Sequence, residues 1–213
     1  MKDKGIIDNY RDLPIGKYEE IVALCNEEMT DVDRKVAIIA VLTGLTEDEV
    51  LRLPLDQFTE YSAKSRFIEK ECPPNLIPPI AKSYPYGGLD LVPAKDIRKI
   101  TAAQFIDFQT FSADRANKVP ELLSCLLVPK GMDYNEGYDI LEVHQAIRDE
   151  MPVAEALALL AFFFNGWMQS LRSTLSSSGM MARRIRNPEV RKEMTMRIKE
   201  LLHSVTAGVG SRM

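Results

Sequence analysis

The sequence predicts a mainly α-helical protein, built from one or more helical bundles with one short β-hairpin near residues 78–94. Apolar residues recur at the helical period over most of the chain. Residues that cap helices stand before these segments, and turn-forming Pro and Gly residues concentrate in one central stretch. An apolar fraction of 46% is typical of a globular protein that buries a core.

Residues 1–72 are predicted to form an N-terminal helical module of about four helices. Pro14 suits a first helical turn. The apolar residues that follow it on one predicted helical face are Tyr18, Ile21, Val22 and Cys25. Thr30 is placed to cap the next helix, and Gly44 is placed to end it. A short helix after a Thr-x-x-Glu capping box and an amphipathic helix over 55–68 complete this module.

Residues 73–95 are predicted to be a proline-rich hairpin or linker. Prolines and glycines there exclude a continuous helix, at Pro73, Pro74, Pro78, Pro79, Pro85, Gly87 and Gly88. The segments 80–84 and 89–92 flank a Pro-Tyr-Gly-Gly turn. Two short segments joined by such a turn favour a β-hairpin.

Residues 96–178 are predicted to form a C-terminal helical module. Thr101 and Gln104 form a capping box, and Asp139 is placed to cap a helix over 139–150. A further helix is predicted over 120–127. Pro152 then opens a helix that is apolar nearly all round, so we expect it at the centre of a bundle or at an interface.

Residues 179–213 are predicted to form a basic C-terminal helix and tail. Although the net charge of the chain is −4, residues 171–213 carry 9 Lys and Arg against 3 Asp and Glu. We expect this segment to bind another protein chain, or a second copy of this one, through basic and apolar side chains. The predicted partner-binding residues are Arg183, Arg184, Arg186, Val190, Arg191, Met194, Arg197, Ile198 and Leu201. A helix that closes its own bundle and a solvated face remain alternatives.

Cysteine usage and the amino terminus predict a cytoplasmic protein. The three cysteines lie far apart, which suggests neither a disulfide framework nor a metal knuckle. The first residues lead into a polar stretch instead of a secretory leader. The longest apolar run, 153–168, is too short and too polar to span a membrane.

The sequence contains no phosphate-binding loop, no dinucleotide fingerprint, no HExxH and no GxSxG motif. His144 and His203 are the only histidines, and both are predicted to be structural or solvated. Alternating Asp133, Asn135, Gly137 and Asp139 resemble a calcium loop, but Tyr138 and His144 stand where that loop needs Gly and Glu. The sequence therefore predicts no catalytic residue, no metal and no cofactor.

The segment VAIIAVLTGLTEDEVLRLPLDQF, residues 36–58, resembles the tail assembly chaperones of tailed bacteriophages and prophages. In those proteins an apolar helix ends in a TGL turn, and a short acidic helix and a third helix follow. Residues 100–111 and 127–139 are also similar to stretches of phage tail and virion-assembly proteins. The resemblance implies a non-enzymatic protein that transiently binds a helical client, the tape-measure protein, before the tail tube polymerises.

Three other functions stay open at this point. A structural virion component, such as a connector or internal protein, would carry the same helical character. A small enzyme with an unrecognised site is less favoured. A nucleic-acid binder is also less favoured, because the chain is acidic overall and few aromatic residues accompany the basic segment.

Overall fold

The computed structural model describes residues 5–94, 99–112, 118–164 and 166. The helices are α1 (Ile15–Asn26), α2 (Asp31–Thr43), α3 (Glu47–Leu51), α4 (Leu55–Lys64), α5 (Ala102–Ser112), α6 (Val119–Ser124) and α7 (Ile140–Glu150), and residues 153–164 form α8. Short 3-10 helices cover Ser65–Glu69 and Pro74–Leu76. The strands are β1 (Tyr84–Tyr86), β2 (Leu89–Pro93) and β3 (Leu127–Pro129). The prediction of a mainly α fold with a short hairpin is confirmed.

Local hydrogen bonds explain where several helices begin and end. The Thr46 hydroxyl accepts from the backbone N–H of Glu49 at 3.2 Å, and the Glu49 carboxylate accepts from the N–H of Thr46 at 2.8 Å. This reciprocal pair satisfies two donors that a helix start otherwise leaves open. Gly44 ends α2 with a φ of 69°, in the left-handed region that glycine adopts without strain.

The small sheet has three antiparallel strands in the order β1-β2-β3. Its first strand begins at Tyr84 and not at Ile80, and Leu91 pairs with Tyr84 on one side and with Pro129 on the other. The predicted helix over 120–127 is too long, because α6 ends at Ser124 and Leu127 begins strand β3. Leu127 and Pro129 are buried in alternation with Val128, which is the two-residue period of a strand.

Residues 1–162 form one compact unit and residues 163–213 form a second unit, most of which lies outside the described residues. Within the first unit, backbone hydrogen bonds join the segments that precede α1 and α8. The N–H of Ile15 donates to the carbonyl of Met151 at 3.0 Å, and the N–H of Val153 donates to the carbonyl of Leu13 at 2.8 Å. These bonds fix the beginnings of α1 and α8 beside each other.

Buried apolar side chains stabilise this arrangement. One core cluster contains Tyr10, Leu13, Ile21, Leu42, Val153 and Ala154, and a second contains Val36, Ile39, Ala40, Val50 and Tyr61. Each fully buried Leu or Ile contributes about 2 kcal/mol through the hydrophobic effect. The apolar face predicted for α1 is only partly buried, because Ile21 is fully buried but Cys25 is exposed. Among the described residues no helix has the length and apolar character needed to cross a bilayer.

Candidate binding groove

The predicted partner-binding residues, from Arg183 to Leu201, and also His203 lie outside the described residues. The binding role of that segment therefore stays a prediction. The described part of the chain carries a different candidate for a binding surface, which lies between α1 and α8.

One face of α1 forms the first wall of this groove. Its lining residues are Ile15, Tyr18, Glu19, Val22, Ala23 and Asn26. These positions follow the i, i+3, i+4, i+7 spacing that places side chains on the same side of a helix. Since α1 has 12 residues, the wall is about 18 Å long at 1.5 Å per residue.

The facing wall comes from α8, whose lining residues repeat the same spacing at Val153, Ala156, Leu157 and Leu160. Val119, at the beginning of α6, also lines the groove. The space between the walls measures about 440 Å³. Val22 is 40% exposed and Leu157 is 36% exposed, so apolar surface of both walls remains in contact with solvent. We name the space lined by these residues the α1/α8 groove.

Glu19 is the only charged side chain among the described residues that line the α1/α8 groove. Its Oε2 lies 3.4 Å from Nε of Arg148, and its side chain is 20% exposed. The other carboxylate oxygen, Oε1, is buried and has no hydrogen-bond partner in the described structure. Burial raises the pKa of Glu19 above its usual range, although the nearby Arg148 acts in the opposite direction.

A glycine allows Arg148 to approach α1. A Cβ atom at Gly16 would lie 2.9 Å from Cγ of Arg148 and 3.0 Å from its carbonyl oxygen, so a larger residue would push the end of α7 away. Nearby, Lys118 and Glu121 form an ion pair at 2.9 Å. Both also act electrostatically on Glu19, with Glu121 raising its pKa and Lys118 lowering it.

His144 lies on α7, and its ring makes an edge-to-face contact with Phe111. Its Nε2 atom is buried and has no hydrogen-bond partner in the described structure. Burial lowers the pKa of His144, which favours the neutral imidazole.

A polar cluster lies around Cys125. The hydroxyl of Tyr134 donates to Oδ2 of Asp107 at 2.8 Å and lies 3.6 Å from Sγ of Cys125. Burial raises the pKa of the Cys125 thiol to about 11, which disfavours the nucleophilic thiolate. These contacts tie α5 to the loop that follows β3.

The calcium-like pattern at 133–139 forms a loop that begins a helix. The Asp139 side chain accepts from the N–H of Leu141 at 2.9 Å and so caps α7. Asn135 and Gly137 have φ values of 60° and 79°, which belong to tight turns. Within the described ranges, no three or more His, Cys, Asp or Glu side chains are grouped as metal ligands.

Sequence reasoning missed the α1/α8 groove because its walls belong to segments far apart in the chain. The apolar periodicity of α1 places Val22 on one helical face, but it does not show that this side chain stays partly exposed. The alternating Ala and Leu residues of 153–160 indicated a helix without showing which of its faces stays open. Glu19 resembles any surface carboxylate until its burial against α7 is known.

Comparison with protein-family models, with curated proteins and with solved structures finds no match to this chain.

Proposed function

We propose that this protein is a non-enzymatic assembly chaperone of the phage-tail type, which binds a helical segment of a tape-measure-like client in the α1/α8 groove. It would act in the cytoplasm of the host cell while virions assemble. The observation that carries the proposal is the pair of facing helical walls, whose lining residues recur at i, i+3, i+4 and i+7 and are apolar except for Glu19 and Asn26 on α1. An amphipathic helix packs into such a groove through residues at the same spacing.

The dimensions and chemistry of the groove support this occupant. A wall of about 18 Å accommodates roughly three turns of a client helix. Partly exposed Val22 and Leu157 provide apolar surface that a client would remove from water. A chaperone that must later release its client needs moderate affinity, which a groove of this size provides better than a large interface does.

Binding is tested with a long helical fragment of a phage tape-measure protein that aggregates by itself. The wild-type chain is expected to suppress its light scattering, and Val22→Ser and Leu157→Ser are expected to weaken that suppression. Val32→Ser is the matched control, because Val32 is 64% exposed on α2 and does not line the groove. Equal activity of all three variants would contradict the proposal.

Purified particles distinguish a chaperone from a structural virion component. A chaperone is expected in lysates of assembling cells and absent from purified virions. Presence of the chain in virions at a fixed copy number would assign it instead to the structural class.

A further inference from the structure

We infer that the α1/α8 groove selects a helix that carries a Lys or Arg beside its apolar face, and that Glu19 is the residue that recognises this cation. The inference rests on the proposed function, because it names the chemistry of the client that the same groove binds. It begins with the position of one carboxylate in an otherwise uncharged lining.

The carboxylate of Glu19 is incompletely satisfied in the described structure. Oε1 is buried without a hydrogen-bond partner, and Oε2 has Arg148 at 3.4 Å. That separation is longer than the 2.7–2.9 Å of a typical charge-assisted hydrogen bond. A partly buried carboxylate with so few partners is incompletely compensated for its loss of water, so a cation placed beside it in the groove would offset part of that cost.

A donor in the groove can approach this carboxylate, because Glu19 lines the groove and its side chain is 20% exposed. Arg148 competes weakly for the same carboxylate, because it lies 3.4 Å from Oε2 and its own side chain is 53% exposed.

Competing occupants fit the same lining less well. A helix with an acidic residue at this position would place two carboxylates together. A purely apolar helix would cover Glu19 without providing a donor, which increases the cost of its burial. A Lys or Arg provides both a positive charge and hydrogen-bond donors, so it complements the groove best.

The test uses three synthetic helical peptides of about five turns. They share a Leu stripe at i, i+3, i+4 and i+7 and differ at one position on the border of that stripe, which is Lys, Gln or Glu. Each is labelled with fluorescein, and its dissociation constant for the wild-type chain is measured by fluorescence anisotropy. The Lys peptide is expected to bind about tenfold more tightly than the Gln peptide, and the Glu peptide is expected to bind most weakly.

Variants of the protein assign this preference to one residue. Glu19→Gln keeps the shape of the side chain and is expected to weaken the Lys peptide about tenfold while leaving the Gln peptide unchanged. Glu20→Gln is the matched control, because Glu20 is the exposed neighbour on the same helix and does not line the groove. Glu19→Gln is also expected to leave the thermal midpoint unchanged or to raise it, since the variant removes a partly buried charge. A residue with a purely structural role would lower the midpoint and would affect all peptides alike.

The outcomes separate this inference from the proposed function. If all three peptides bind equally and Val22→Ser weakens each of them, the groove binds helices but charge selection is wrong. If none of the peptides binds, the groove proposal fails and the charge inference fails with it. Concentration-dependent dimerisation that Val22→Ser abolishes would identify the occupant as a second copy of this chain, which would overturn the assignment to a separate client.

Discussion

Replacing Gly87 by Ala tests how the β-hairpin packs against α7. Gly87 has a φ of +59°, and a Cβ atom built on it would lie 2.5 Å from the Cβ of Ala146. Its backbone N–H also donates to the carboxylate of Glu150 at 2.9 Å. The turn therefore approaches α7 more closely than any side chain on this residue would allow.

The expected destabilisation has two parts. A non-glycine residue in the left-handed region costs about 1–2 kcal/mol. The overlap with Ala146 adds about 1–3 kcal/mol, the usual cost of overpacking. Gly87→Ala should therefore lower the free energy of unfolding by about 2–5 kcal/mol. Gly88→Ala should cost only about 1–2 kcal/mol, because Gly88 has a φ of +71° with nothing within 4 Å of its Cβ position.

Urea unfolding followed by circular dichroism measures both variants. A difference of about 2 kcal/mol between them corresponds to roughly 4–8 °C in the thermal midpoint for a chain of this size. Ala146→Gly should recover part of the loss in the Gly87→Ala background, although alone it costs about 1 kcal/mol as a helical glycine. Equal destabilisation by Gly87→Ala and Gly88→Ala, with no recovery by Ala146→Gly, would refute the close packing of the turn on α7.

Three further measurements follow from the buried polar groups. Burial lowers the pKa of His144, so the stability that its neutral form provides is lost as pH falls below about 6.5. In urea titrations, His144→Leu should therefore reduce the difference in the free energy of unfolding between about pH 7.5 and pH 5.5. An unchanged pH dependence in this variant would contradict the burial of the neutral imidazole. Thiol labelling should modify Cys25 in the native protein but reach Cys125 only on unfolding, and rapid native labelling of both would contradict the burial of Cys125. Tyr134→Phe should lower the free energy of unfolding by about 1–2 kcal/mol through loss of the hydrogen bond to Asp107, whereas a Phe variant as stable as wild type would show that this bond contributes nothing.

The sequence by itself determined the helical class and many of the helix boundaries. The sequence predicts the capping box of Thr46 with Glu49 and the end of α2 at Gly44, because a helix cap depends on residues within one turn of each other. The sequence also predicts the turn at Gly87 and Gly88, because a tight turn depends on the backbone freedom of the residues within it.

Tertiary structure decided the features that depend on segments far apart in the chain. Strand β3 exists because Leu127–Pro129 pairs with β2, and no local pattern separates these residues from the end of α6. The α1/α8 groove likewise requires the backbone bridge between Pro14 and Pro152 that fixes two distant helices together. The environment of Glu19 follows from the same packing, because Arg148 reaches it only where α7 lies against α1. Periodicity shows which residues share a helix face, but only long-range packing determines which of those faces stays open to a partner.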